Sequence, residues 1–532
     1  MTEGAVGGWV NIHTMRPFDG DGGFKGLVSL KSKMSPGADT ELTDPNSLNT
    51  YVFVSNTFND KFGASFMYNN GDYNGRADIM EDLIYIYDDK NGDGSSEYSP
   101  VAPRYFQNLV QEERESFTGS LQYRPTEDLE FIFDATHSER SGDVHNYVVN
   151  YIHFPGWGTN SNIIIEDETV VGFDNEGGLF QSLSSEFTET RETDTYSLTA
   201  DWRTTEDLTI SAIIGSSEGV FDQPLVNIQF NKFNIPLHTM DRAGEDNIWR
   251  TTDDLANYGS MASEYAQYTS IFSQDKTDQK EALAQLDFQY SIDNSFIEMV
   301  EFGVQLRNTE FDHTGAKLNR NVDQQNAPAD YVSNSSALHG LPAEFGSEYK
   351  NNPDGIPGNF WVPDSEIFLD TFYTPEELSD IANYDEQYLD PGKVWNIEEK
   401  VSSAYVQVNF FTEFSNDMAL SGNFGLRYSK TETDTHGFAN VIESGFDDPV
   451  SFSSDYSDIL PALNLTLEVT QSLLFRFAAS QVIARPKITD LVPSLTYNEV
   501  TKLASGGNPD LDPFRADQFD LLWSITAMTQ LY

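Results

Sequence analysis

Along Ser116–Tyr123 the side chains alternate: Phe117, Gly119, Leu121 and Tyr123 share one face, and Ser116, Thr118, Ser120 and Gln122 share the other. Arg124-Pro125-Thr126-Glu127-Asp128 reads as a tight turn, after which Leu129, Phe131, Phe133 and Ala135 resume the apolar row. The unit returns as Tyr196, Leu198, Ala200 and Trp202, a turn, then Leu208, Ile210, Ala212 and Ile214. Alternation with period two predicts strands with one apolar and one polar face. The same pattern predicts strands near 24–33, 51–58, 62–68, 116–123, 129–137, 195–203, 208–215, 281–290, 296–311, 402–413, 418–430, 460–469, 473–482 and 516–525, about fourteen in all.

The connections are lopsided. Tight turns are expected near Asn59-Asp60, Pro125–Asp128, Thr204–Asp207, Ile292–Ser295, Ser415–Asp417 and Thr470–Ser472, and long ones over 70–115, 138–194, 216–280, 312–400, 431–459 and 483–515. Ten-residue strands with short turns at one end and long loops at the other predict an all-β, antiparallel transmembrane β-barrel with long extracellular loops. Aromatic residues mark both ends of the strands. Phe58, Phe62, Tyr123, Trp202, Tyr290, Phe296, Phe411 and Phe414 sit beside the short turns, and Tyr68, Phe117, Tyr196, Tyr405 and Tyr428 lie toward the long loops. Two such belts are the girdles of a membrane barrel. The opposite faces carry Arg203, Gln285, Asp287, Asn423 and Arg427, suited to a wet lumen. A secreted acidic β-sandwich or adhesin shares the alternation turned inside out and is the competing architecture. Within the longest loop, Thr374-Pro375-Glu376-Glu377 has the N-cap, N1 proline and capping-box glutamate of a short surface helix.

Composition sharpens this picture. Only 38% of the 532 residues are hydrophobic while 13% are aromatic, which fits a one-sided apolar skin. No apolar run reaches the ~18 residues of a membrane-spanning helix. The formal net charge of −54 argues against nucleic acid as a partner. There is no cysteine, so disulfides, thiolate metal sites and cysteine nucleophiles are excluded. Met1-Thr2-Glu3-Gly4-Ala5-Val6 lacks the basic start and apolar core of a signal peptide, so an exported barrel of this sequence is expected to be part of a longer chain.

Candidate chemistry is sparse. Asp89, Asn91 and Asp93, with Gly94 at the turn, have the spacing of the first half of a calcium loop; position twelve is Pro100, and Glu97 is the substitute carboxylate. Such a loop is a candidate Ca²⁺ site; the competing reading is an acidic, turn-rich loop, and no cofactor is required. His137, His145 and His153 are spaced by eight, with Gly142 and Asp143 interrupting, and are read as scattered loop histidines. Trp157, Trp249, Trp361 and Trp395 fall in the predicted loops, where they either stack on a sugar ring or pack loops together. Neither a nucleophile elbow nor a His-Glu-x-x-His motif nor a phosphate loop occurs, so no enzyme is expected.

Two segments carry a family resemblance. Gly4–Asp19, with Gly7, Gly8, Asn11, Ile12, Thr14, Arg16 and Pro17, resembles the end of the plug domain of TonB-dependent outer-membrane receptors, where it leads into the first barrel strand. Ala484-Arg485-Pro486 and the later Gly507, Asn508, Pro509, Leu511 and Pro513 are similar to that family's Ala-Arg-Pro and Gly-Asn-Pro-x-Leu-x-Pro signatures. The resemblance implies residues 1–18 as the end of the plug and 19–532 as a partial barrel, with about fourteen of the family's roughly 22 strands. It also implies an outer-membrane receptor of a Gram-negative bacterium that binds a scarce nutrient, such as an oligosaccharide or ferric siderophore. Its partners would be outer-membrane lipid and lipopolysaccharide, and the TonB complex through an N-terminal TonB box that this sequence lacks. A passive porin has no use for the Gly7–Pro17 stretch.

Overall fold

The computed structural model describes residues 14–19, 22–40, 42–82, 85–89, 92–153, 158–241, 250–251, 255, 257–292, 296–346, 358–414, 418–438, 449–470, 472–498 and 503–525. One antiparallel sheet dominates. Its strands are β1 (Lys25–Met34), β2 (Asn46–Asn59), β3 (Phe62–Asp82), β4 (Pro103–Thr126), β5 (Leu129–Ile152), β6 (Leu179–Arg203) and β7 (Leu208–Phe233). They continue as β8 (Gln267–Ser291), β9 (Ile297–Asp323), β10 (Leu389–Phe414), β11 (Met418–Phe438), β12 (Pro449–Thr470), β13 (Leu473–Ala484) and β14 (Phe514–Ile525). Each strand pairs with the next in chain order, giving fourteen strands; among the described residues β1 and β14 do not pair with each other. The turns expected at Asn59-Asp60, Pro125–Asp128 and Thr204–Asp207 join β2–β3, β4–β5 and β6–β7. The other three fall wholly or partly outside the described residues.

Strand length departs from expectation. β9 runs 27 residues and β7 runs 26, so segments read as loops, 138–152 and 179–194 among them, are strand. At ~3.3 Å per residue such strands reach roughly 85–90 Å, far beyond a ~30 Å hydrocarbon layer. The reason is visible in Glu139-Arg140-Ser141-Gly142-Asp143: with polar side chains on both faces, a strand shows no alternation to read. The true long connections are correspondingly shorter.

Register sorts the two faces. Phe117, Phe133, Leu198, Ile214, Leu286, Val304, Val406 and Leu426 share one face through successive directly opposed or same-face pairs, and they lie half-exposed near the tight-turn end. Gln122, Arg203, Gln285, Gln305 and Arg427 lie on the other. Two girdle assignments change. Tyr405 lies on the polar face and its hydroxyl donates to Asp287 at 2.8 Å. Phe411 shares that face, and Phe410 takes its place on the apolar side, stacked on Phe296 with centroids 5.3 Å apart.

At the long-loop end the apolar-side face is covered. Tyr105, Tyr147, Val149, Tyr151, Phe180, Phe230 and Tyr268 of the sheet pack with Phe173, Met240, Tyr265, Tyr331, Phe360 and Phe368 of the loops into one buried cluster. Besides a single turn at Ala329–Val332, the loop after β9 contributes two eight-residue helices, α1 (Ser365–Phe372) and α2 (Pro375–Ala382). The second carries the expected capping box: Thr374 Oγ1 accepts from the Glu377 backbone N–H, and the Glu377 carboxylate accepts from the Thr374 N–H. It is not a bare surface helix, because Ile381 is buried and Arg320 of β9 pairs with Glu377. The loop between β13 and β14 packs on the opposite, polar face, where Leu491 and Val492 cover Ile397.

Candidate functional site

The segment 14–19 lies against the polar face of β3–β5 at the tight-turn end. Ser65 Oγ donates to the Met15 carbonyl at 3.2 Å, and the Phe18 N–H donates to Gln122 Oε1 at 3.1 Å. Arg16 approaches Asp134 at 4.0 Å, and its own N–H donates to Asp19 at 2.9 Å. Pro17 is buried over Gly63, where any side chain at 63 would collide with its ring. The Arg124 guanidinium sits 4.3 Å from the centroid of the Phe18 ring. Arg16, Pro17 and Phe18 each contact the wall, while Asp19 closes a turn back onto Arg16. Thr14 is described beside it; Gly7, Gly8, Asn11 and Ile12 lie outside the described residues. A cavity of about 770 Å³ opens at the same end, lined by Lys61, Arg124, Glu130, Asp201 and Arg203.

The second motif pair folds the β13–β14 loop back on the polar wall. Ala484 ends β13, and Pro486 follows it out of the sheet. Arg485 between them donates from Nε to Thr431 Oγ1 at 3.3 Å and approaches Glu399 at 3.8 Å. At the other end of the loop the Asn508 N–H donates to the Asp490 carbonyl at 2.7 Å, and the Leu511 N–H to the Asn508 carbonyl at 3.2 Å. A Cβ on Gly507 would run into the carbonyl oxygens of Val492 and Asp490, so this close approach requires glycine. Ser454 Oγ donates to the Pro509 carbonyl at 3.1 Å, Leu511 stays exposed, and Pro513 is buried just before β14.

The TonB dependent receptor-like, beta-barrel family model matches residues 226–526, more than half of the chain. The chain belongs to this family. Among solved structures it is similar to the siderophore receptor PiuA from Acinetobacter baumannii, at 11% identity over 96% of this chain and 55% of that one, with a TM-score of 0.45. It is also similar to the toluene transporter TodX of Pseudomonas putida, at 9% identity over 88% of this chain and 86% of that one, with a TM-score of 0.22. The chain thus spans about half the length of the first of these. No curated protein matches it.

On this TonB-dependent receptor barrel the remaining candidates scatter. Trp157 and Trp249 lie outside the described residues. Trp361 opens a short strand, Trp361–Pro363, at the edge of the buried loop cluster, and its carbonyl accepts from Ser182 Oγ at 2.5 Å. Trp395 is in β10, not in a loop, and stacks on His313 with centroids 4.9 Å apart. Asp89, Asp93 and Glu97 place carboxylate oxygens within 4.8 Å of one another; Asn91 is outside the described residues. Asp89 accepts from the N–H groups of Gly92 and Gly94 at 2.7 and 2.9 Å, and both glycines have positive φ, as the tight turn demands.

The three histidines separate. His137 Nδ1 lies 3.0 Å from Asp194. His145 is 3.9 Å from Glu186. His153 meets His238, and this pair escaped the sequence reading because its members are 85 residues apart. Their Nε2 atoms are 3.1 Å apart, both are buried, and burial, reinforced by His238, pushes His153 down to about 3.

Proposed function

We propose that the chain is the plug end (residues 1–18) and part of the barrel (residues 19–532) of an outer-membrane receptor of a Gram-negative bacterium. The receptor binds a scarce small-molecule nutrient at its long-loop face and releases it to the periplasm when the TonB complex moves the plug. The observation that carries this reading is the docking of Thr14–Asp19 on the polar wall at the tight-turn end. A stretch that enters the lumen there, beside a 770 Å³ opening, suits a barrel filled by a plug rather than an empty pore. Family membership supports the same reading. The chemistry is binding and gating, with no covalent step, and energy supplied through the TonB complex.

Cell fractionation and uptake test it together. The receptor reading expects the protein of this gene in the outer membrane. It further expects one class of nutrient to accumulate only in a host with an intact TonB complex. Uptake that continues without that complex makes the protein a passive porin. Recovery in the soluble fraction without detergent makes it the acidic β-sandwich.

A further inference from the structure

Register draws one row across the polar face, just beyond the outer aromatic belt. Arg114 of β4, Arg140 of β5 and Arg191 of β6 are directly opposed on adjacent strands. Through Asn49 and Gly71 the same row reaches Lys31 of β1; in the other direction it passes Phe221 of β7 and ends at the stacked His313 and Trp395. Like charges directly opposed on neighbouring strands are destabilising. Two carboxylates offset this only in part. Buried Glu112 pairs with Arg114 and, at 2.5 Å, with Arg140. Glu189 pairs with Arg140 at 3.2 Å and Arg191 at 2.6 Å. Lys31, Lys33, Arg114, Arg140 and Arg191 thus face Glu112 and Glu189, a local positive excess in a chain of net charge −54.

The arc is accessible and backed by space. The three arginine side chains keep 63%, 43% and 55% of their exposure. Arg191 is held over the Phe221 ring at 4.8 Å. A cavity of about 320 Å³ adjoins Arg114 and is lined by Lys31, Lys33, Asn49, Asn69 and Tyr73, with Asp72 its one carboxylate. The plug stretch docks at Gln122, eight residues further down β4, roughly 26 Å away at strand rise, so the arc faces the long-loop mouth.

We propose that this arc is the recognition surface of the receptor and that its ligand is a small polyanion bearing carboxylate, phosphate or sulfate groups. The inference rests on the receptor reading above and names its substrate class. Guanidinium forks match such oxyanions two hydrogen bonds at a time. Three strands set ~4.8 Å apart spread them over roughly 10 Å, so the ligand carries at least two anionic groups.

Binding is measured on the full chain in detergent or outer-membrane vesicles, by calorimetry, with three probes: sulfated maltotetraose, neutral maltotetraose and citrate. The arc predicts that at least one anionic probe binds ten-fold or more tighter than the neutral sugar and weakens as salt rises. Preference for the sulfated sugar assigns an anionic saccharide; preference for citrate assigns a compact carboxylate chelate. Arg191→Gln, alone and with Lys33→Gln, is expected to weaken that probe ten-fold or more, while Lys280→Gln on the opposite face leaves it unchanged. Arg140→Gln strips a partner from buried Glu112 and risks misfolding, so the Arg191 and Lys33 variants decide. Equal binding of the neutral sugar, no binding of either anion, or unchanged affinity in Arg191→Gln overturns the proposal. This measurement needs no TonB complex. Uptake without that complex sinks the transport reading alone, and loss of polyanion selectivity sinks this one alone.

Discussion

His153 and His238 touch through their Nε2 atoms, a contact in which one imidazole must donate and the other accept. The rings pack against Tyr151 and Phe173, and the nearby Asp174 carboxylate is held below its usual range by donors from Thr239 and Asn162. With His153 at about 3 when folded and near 6.5 when unfolded, the unfolded loops take up the proton first. Stability from this group is present above pH ~6.5 and is lost progressively as pH falls toward 3. Limited proteolysis of the loops after β5 and β7 should accelerate over that window, and His153→Phe should flatten the dependence. Acid-insensitive cleavage of the unaltered chain would contradict this.

Gly507 makes a steric prediction of the same scale. Its backbone approaches Asp490 and Val492 too closely for a methyl group, so Gly507→Ala should cost about 1–3 kcal/mol, the range of overpacking. Denaturant melts of the two proteins check it, and an unchanged midpoint would show that the loop simply shifts. The motif was legible as spacing in the sequence, but its reason was not: a glycine contact between residues seventeen positions apart (490 and 507) exists only once the loop has folded back.

At the scale of elements, the helix Pro375–Ala382 was legible because its signals are local. Thr374 and Glu377 satisfy each other's backbone N–H groups within four residues. Thr374→Ala should cost about 1 kcal/mol, seen as faster amide exchange over 375–382 with the sheet unaffected. Exchange unchanged within error would mean the tertiary ion pair of Glu377 with Arg320 holds the helix instead. The preceding helix, Ser365–Phe372, was not read, although Asp364 caps it by accepting from the Ile367 N–H at 2.9 Å. Its apolar side, Phe368 and Phe372, signals a helix face only once the loop core is known. Strands show the converse limit. The half of each strand with an apolar skin announces itself, whereas the outer half has polar groups on both faces or apolar groups covered by loops. Tyr405 and Phe411 mislead for a related reason: an aromatic near a strand end suits either face, and only register decides.

At the scale of the whole molecule, everything turns on which face of the sheet meets lipid. The polar face holds the Thr14–Asp19 stretch, the Arg485 anchor and the arginine arc, so the half-exposed row of Leu198, Ile214 and Phe133 must face the hydrocarbon if the sheet sits in a bilayer. Adjacent residues of β6 separate the two possibilities cleanly. Leu198 lies on the apolar face opposite Ile214, and Ser197 on the polar face opposite Gly215. Lysine on the lipid side near the midplane costs about 2–4 kcal/mol, while the lumen side tolerates it. Leu198→Lys should therefore lower stability in lipid vesicles by that amount, and Ser197→Lys should change it little. In a soluble sandwich the apolar face is the packed core, so Leu198→Lys would instead prevent folding in water, with no bilayer present. Equal effects of the two substitutions in vesicles would remove the two-faced barrel and, with it, the meaning of every residue assigned here to the lumen wall.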